Sequence, residues 1–64
     1  AMKKAYFFTW DGGNLPRRSE TFYFEYLADA LMASRDFMYI HHIDIINVFE
    51  GEGTDMKHIV SYTK

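Results

Sequence analysis

Three histidines, His41, His42 and His58, make a metal site the first chemistry to consider in this sequence. His41 and His42 are adjacent in a predicted strand, so their side chains point to opposite faces and do not share one ion. The chain has no cysteine, which excludes thiolate ligands. We therefore expect hydrogen-bonded or solvated sheet histidines, and no metal or other cofactor. A contact between two copies of the chain remains a way to bring histidines together.

The loop at residues 12–18 (GGNLPRR) is the best candidate for an anion site. It leads into a predicted helix, whose first backbone N–H groups could hold a phosphate or carboxylate together with Arg17, Arg18 and Ser19. The segment matches neither of the glycine-rich nucleotide-binding motifs, and Pro16 removes one donor. A solvated basic loop is therefore the favoured interpretation, and an anion or nucleic-acid site is the alternative.

The residues that could support catalysis are isolated in the sequence. Glu25 and Asp29 are four residues apart on a helix face that we expect to meet water, with no cleft to shift a carboxyl pKa. Ser19, Ser34 and Ser61 have no histidine placed to activate them as nucleophiles. The sequence therefore predicts a protein that is not an enzyme.

Length and composition set further bounds. A chain of 64 residues is expected to form one domain, residues 1–64, with a small core. Because ordering costs about 1.5 kcal/mol per residue, burial in so short a chain roughly cancels it, and such domains commonly need a staple, a metal or a partner subunit. The 19% of aromatic residues supplies unusually large side chains for burial. The net charge of −2 argues against general nucleic-acid binding.

Location is predicted from what the sequence lacks. Its longest apolar run is too short to span a bilayer, and no signal-peptide pattern opens the chain. With no cysteine to oxidise, a reducing cytoplasm is the expected compartment, with no membrane partner. Ala1 ahead of Met2 is expected to be a cloning remnant.

The last part of the chain, residues 39–64, predicts one long β-hairpin about a turn at residues 51–54. Gly51 and Gly53 supply the positive φ angles that a tight reversal needs. Pairing Glu50 with Asp55 sets the register. The expected pairs are Phe49 with Met56, Asn47 with His58, Ile45 with Val60 and Ile43 with Tyr62 on one face, and Val48 with Lys57, Ile46 with Ile59, Asp44 with Ser61 and His42 with Thr63 on the other.

Residues 3–11 predict the first strand, because aromatic residues favour strands. Tyr6, Phe8 and Trp10 point one way and, as the larger set, are expected to be buried. Phe7 then lies on the opposite face.

A helix is predicted from Ser19 or Thr21 to about Asp36. At 100° per residue its apolar face gathers Tyr23, Phe24, Leu27, Ala30 and Leu31, and its opposite face carries an acidic stripe of Glu25, Asp29 and Asp36.

The element order is therefore β-α-β-β, an α+β fold. A helix between the first two strands makes them parallel, so a fully antiparallel sheet needs the third strand in the middle, in the order 2-3-1. The helix then covers one face of a three-stranded sheet and leaves the other face open. Open apolar faces of this kind commonly mark association surfaces.

The function expected from this arrangement is a non-catalytic interaction module. It self-associates as a homodimer or higher homo-oligomer through the open sheet face, or it binds, recruits or inhibits a larger protein there. The acidic stripe would steer a basic partner. The residues expected on the surface are Phe7, Ile46, Val48 and Ile59, with His42 and Lys57 at its rim. The alternative is an anion or nucleic-acid binding module using Arg17, Arg18 and Ser19.

Overall fold

The computed structural model of the chain describes residues 2–64, so the expectation that Ala1 is a cloning remnant falls outside them. The elements are β1 (Lys4–Gly12), β2 (Ser19–Phe24), α1 (Leu27–Ile40), β3 (Ile43–Glu50), a 3₁₀ turn (Gly53–Asp55) and β4 (Lys57–Thr63). All strand pairs are antiparallel, in the order β2-β1-β3-β4, and α1 packs on one face. The predicted α+β class, antiparallel sheet and single covering helix are confirmed.

The sheet has four strands where three were expected, because Ser19–Phe24 is a strand and not the start of the helix. Its sequence SETFYF alternates, and β2 pairs with β1 so that Phe22 lies opposite Tyr6 and Tyr23 opposite Ala5. Glu20, Phe22 and Phe24 on one face of β2 are half-buried, whereas Ser19 and Tyr23 on the other face are exposed. The helix therefore begins only at Leu27, after an N-cap that makes no side-chain hydrogen bond.

The extra strand also changes the order of the sheet. Because β2 reverses the chain before α1 returns it, β3 runs antiparallel to β1 and the two strands pair directly. β1 and β3 therefore form the centre, and β4 lies at an edge beside β3. The expected order placed the last strand in the middle because the first two predicted strands were expected to be parallel. In the structure these two strands, β1 and β3, are antiparallel.

The register of the β3–β4 hairpin differs from the expected one. Val48 lies opposite Val60 and Ile46 opposite Tyr62, and the register shifts between Val48 and Phe49. The reversal uses more residues than a tight turn, since a 3₁₀ turn follows Gly51 and β4 starts only at Lys57. The longer turn changes the β4 partners of β3, whereas Ile46 and Val48 pack under the helix because they lie opposite Trp10 and Phe8 of β1.

The core lies between α1 and the two central strands. Tyr6, Phe8 and Trp10 are buried, as predicted for the first strand. Phe37 of α1 packs its ring 5.0 Å from that of Trp10 and 5.6 Å from that of Phe22. The other buried residues of this core are Ala30 and Met38 of α1 and Ile43, Ile46 and Val48 of β3.

The buried face of α1 is rotated from the predicted one. Ala30, Ser34 and Met38, which recur every fourth residue, are buried, whereas Leu31 is half-buried and Leu27 is 41% exposed. The expected face included two residues that precede the helix, Tyr23 and Phe24, both on β2. The shift leaves apolar side chains on the outer surface of α1.

Gly51 and Gly53 provide a matched test of the turn. Both have positive φ, but a Cβ on Gly51 would lie 2.6 Å from the Asp55 carbonyl oxygen, whereas a Cβ on Gly53 meets nothing within 4 Å. We expect Gly53→Ala to cost about 1 kcal/mol of unfolding free energy, from the left-handed backbone alone. Gly51→Ala should cost at least about 2 kcal/mol more, because backbone must also move. Urea unfolding of the two variants measures the difference, and equal losses would contradict this turn geometry.

Candidate interaction surfaces

The structure does not bring the six predicted interaction residues together. Phe7 lies on the face of the sheet that α1 leaves uncovered, which we call the open face. Ile46 and Val48 are fully buried on the other face, so their assignment to a binding surface is wrong. Ile59 is half-buried at the irregularity in β4. The two rim residues lie elsewhere: His42 in the turn after α1, and Lys57 at the start of β4 opposite Glu50.

Aromatic side chains cross the centre of the open face. Phe7 and Phe49 are directly opposite on the central strands, with ring centroids 6.3 Å apart. His58 of β4 continues the row, its ring 5.3 Å from that of Phe49. Tyr23 of β2 is 54% exposed beside this row, and half-buried Ile45 lies at the other end of β3.

A row of hydrogen-bonded polar side chains lies beside the aromatic row; we call Thr9, Asn47, Ser61 and His58 the polar row. Asn47 Nδ2 donates to Thr9 Oγ1 at 3.1 Å, and the Ser61 hydroxyl donates to Asn47 Oδ1 at 2.5 Å. His58 Nε2 lies 2.9 Å from Ser61 Oγ. These bonds join β1, β3 and β4 across the open face.

The structure places one histidine, His58, in contact with Ser61. This contact does not make a nucleophile of Ser61, however, because the single hydroxyl proton is directed to Asn47 Oδ1. Ser61 Oγ then accepts from His58 Nε2, so the imidazole donates where a general base would accept. The contact is also exposed to solvent, so water is not excluded from it.

The two arginines of the predicted anion site lie in the β1–β2 connection and not at a helix N-terminus. Arg17 forms an ion pair with Glu20, and its guanidinium lies 6.0 Å from the centroid of the Trp10 ring. Arg18 pairs with Asp11 at 3.1 Å. Ser19 is the first residue of β2. Because both guanidiniums already have carboxylate partners and the helix dipole is absent here, the geometry gives this alternative no added support.

The outer surface of α1 carries the most exposed apolar side chains. Met32 is 66% exposed, Tyr39 59% and Ile40 68%. Between this surface and β4 runs an open cavity of about 420 Å³, which we call the α1–β4 groove. Its main lining residues are Leu31, Met32, Arg35, Asp36 and Tyr39 of α1 and Tyr62 of β4.

The histidines are spread over the fold. The ring of His41 lies 4.5 Å from that of Phe37, His42 has a positive φ of 58°, and His58 belongs to the polar row. Within residues 2–64, no three or more histidine or acidic side chains cluster in a way that could hold a metal ion.

Sequence reasoning missed Tyr23, Asn47, Phe49 and Ser61 as open-face residues. The signal for Tyr23 was the alternation in Ser19–Phe24. Phe49 lies on the open face because it pairs with Phe7 of β1, a pairing for which the sequence carries no local signal.

In the part of the chain that the structure describes, no helix is both long and apolar enough to cross a membrane. Comparisons of the chain with protein families, with curated proteins and with solved structures found no match.

Proposed function

We propose that this chain is a non-catalytic interaction module that self-associates through the open face of its sheet. The observation that carries the proposal is the arrangement of layers: α1 covers one face of the sheet, and nothing in the described chain covers the other, where Phe7 and Phe49 lie at the centre. A sheet normally buries its apolar face against a second layer. In a chain of 64 residues, burial against another subunit also supplements a small core.

The charge of the open face favours a second copy as the occupant. Between the strand ends its side chains are Phe, Tyr, Ile, Thr, Asn, Ser and His, while the ion pair of Asp11 and Arg18 lies at one end. Each copy carries a net charge of −2. In a two-fold symmetric contact each copy presents the same face to the other. Because the centre of the open face carries no charge, two copies can stack there without bringing like charges together.

The polar row makes the face suitable for burial. A buried polar group is costly chiefly when it loses its hydrogen bonds to water without gaining others. Here the Thr9, Asn47 and Ser61 side chains already bond to one another across the strands. They can therefore be covered by a partner without leaving their row unsatisfied.

The size of the face also fits a dimer. Four strands about 4.8 Å apart and roughly seven residues long, at about 3.3 Å per residue, cover roughly 440 Å² in projection. Two such faces give roughly 900 Å², which is near the ~1,000 Å² that specific interfaces exceed. Side chains that project from the faces add further area to this value.

Two tyrosines on opposite sides of the molecule provide the test. Tyr23 on the open face and Tyr39 on α1 are similarly exposed, at 54% and 59%, so neither substitution should disturb the core. We expect the native chain to dimerise and Tyr23→Glu to weaken dimerisation by at least about tenfold, because two new carboxylates are desolvated or opposed. Tyr39→Glu should dimerise like the native chain. Light-scattering masses across a concentration series measure both.

The reverse pattern would reject the sheet face as the interface. If Tyr39→Glu dissociates the dimer and Tyr23→Glu does not, the chain associates through α1. A native chain that stays monomeric at every concentration would reject self-association altogether.

A further inference from the structure

A second surface, on the opposite side of the sheet, has a different chemistry. The outer side of a helix on a small domain normally carries charged and polar residues. On α1 that side instead presents Ala28, Met32 and Tyr39, two of them more than half exposed. This apolar line borders the α1–β4 groove, where Tyr62 lies half-buried.

The groove exists because α1 does not lie centrally over the four strands. The helix packs against β3 and β2, and its rings reach β1 through Phe37. Above the edge strand β4, Arg35 of α1 reaches the helix side of the sheet, and its guanidinium lies 5.5 Å from the centroid of the Tyr62 ring. The space that remains, about 420 Å³, is partly open to solvent and is lined by the apolar side chains of Leu31 and Met32 among others.

The spacing along α1 indicates the shape of the occupant. Ala28, Met32, Arg35 and Tyr39 follow one another at intervals of four, three and four residues. This is the spacing at which one helix meets another along its length. Met32 adds an unbranched, adaptable side chain of the kind that accommodates varied apolar partners.

The charges beside the groove indicate the sign of the occupant. Asp29 and Asp36 are exposed on the flank of α1, and Asp36 itself lines the groove. The last turn of α1 contains no basic residue, so the negative end of its dipole has no cation of its own. The one basic residue at the groove, Arg35, is stacked on Tyr62. An occupant with basic residues would complement this flank.

We propose that the α1–β4 groove binds a basic amphipathic helix of another protein, with the apolar side of that helix against Met32, Tyr39 and Tyr62 and its basic flank beside Asp36. A second copy of the chain fits this groove less well, because antiparallel packing of two α1 helices places the acidic flank of one copy against that of the other. The groove and the open face lie on opposite sides of the sheet, so this binding does not depend on self-association.

A pair of synthetic peptides tests the chemistry of the site. One is an amphipathic helix about three heptads long, with leucine at the 3–4 spacing and lysine elsewhere; the other has glutamate in place of lysine. Calorimetric titration into the full chain should show the lysine peptide binding at least about tenfold more tightly than the glutamate peptide. Salt should weaken the lysine peptide's binding.

Matched variants locate the binding. Met32→Lys should weaken the lysine peptide's binding by about tenfold or more, since it places a charge in the apolar line and repels the peptide. Met56→Lys, a substitution of a methionine in the β3–β4 turn that is 37% exposed, should leave binding unchanged. Likewise, Asp36→Lys should weaken binding and Asp55→Lys, in the 3₁₀ turn, should not.

Three results of the peptide titrations would overturn the proposal. They are equal binding of the two peptides, no binding of the lysine peptide, and binding that Met32→Lys does not alter. A dimer that dissociates on Met32→Lys would also overturn it, because a second copy would then be the occupant of the groove.

Discussion

Ile46→Asp is expected to unfold the chain, whereas Ile45→Asp should leave it folded, although the two residues are neighbours on β3. Ile46 is fully buried under α1 and lies opposite Trp10 and Tyr62. Ile45 is half-buried on the open face, opposite Asp11. An uncompensated carboxylate in the core costs several kcal/mol, which is comparable to the whole stability of a domain this small.

Far-UV circular dichroism and guanidinium unfolding of the two variants measure this difference. Ile45→Asp should retain the native spectrum and lose self-association, since its new charge lies on the proposed interface. Two variants that unfold alike, or an Ile46→Asp chain that stays folded, would contradict the register of β3.

Phe8→Ala should cost about 3–5 kcal/mol of unfolding free energy, the usual range for a buried phenylalanine. The Phe8 side chain is almost completely buried, and its ring lies 4.9 Å from that of Phe22 and 6.3 Å from that of Phe37. It therefore joins β1 to both β2 and α1. Because a domain of this size is expected to have only about 3–5 kcal/mol in total, we expect the variant to be largely unfolded at 25 °C.

Phe49→Ala is the matched control, since it removes the same atoms from a half-buried ring on the open face. Its loss should be about 1–2 kcal/mol in the monomer, because much less area leaves water at that position. Urea melts at a low protein concentration compare the two variants. Similar midpoints would show that the helix-covered face is not the main core.

The burial of the first strand could be predicted from the sequence because its two faces differ in bulk. Tyr6, Phe8 and Trp10 outweigh Ala5, Phe7 and Thr9, and the structure buries the heavier set under α1. Bulk decides the face here because one helix can cover only one side of the sheet.

The second strand was missed because Ser19–Phe24 carries two signals at once. Ser19 and Glu20 are typical of a helix start, and Phe24 and Leu27 extend a helical apolar pattern. The same six residues alternate as a strand, and pairing with β1 gives their backbone groups hydrogen-bond partners while packing Phe22 against the core. That tertiary pairing outweighs a local helix propensity of a few tenths of a kcal/mol.

The candidate site was misassigned for a related reason. A β-strand has a side-chain period of two, so an error of one residue in register moves every side chain to the opposite face. The sequence marks the turn with Gly51 and Gly53 but does not show that a 3₁₀ turn lengthens it. An uncovered face was therefore predictable, but its occupants on β3 and β4 were not.

Self-association through the open face is the central claim, and an isotope-filtered NOE experiment on a mixture of labelled and unlabelled chains tests it most directly. We expect intermolecular contacts from the rings of Phe7, Phe49 and Tyr23, because these lie on the face that two copies would bury. Intermolecular contacts confined to Met32 and Tyr39 of α1, or no intermolecular contacts at concentrations well above the micromolar range, would contradict the claim.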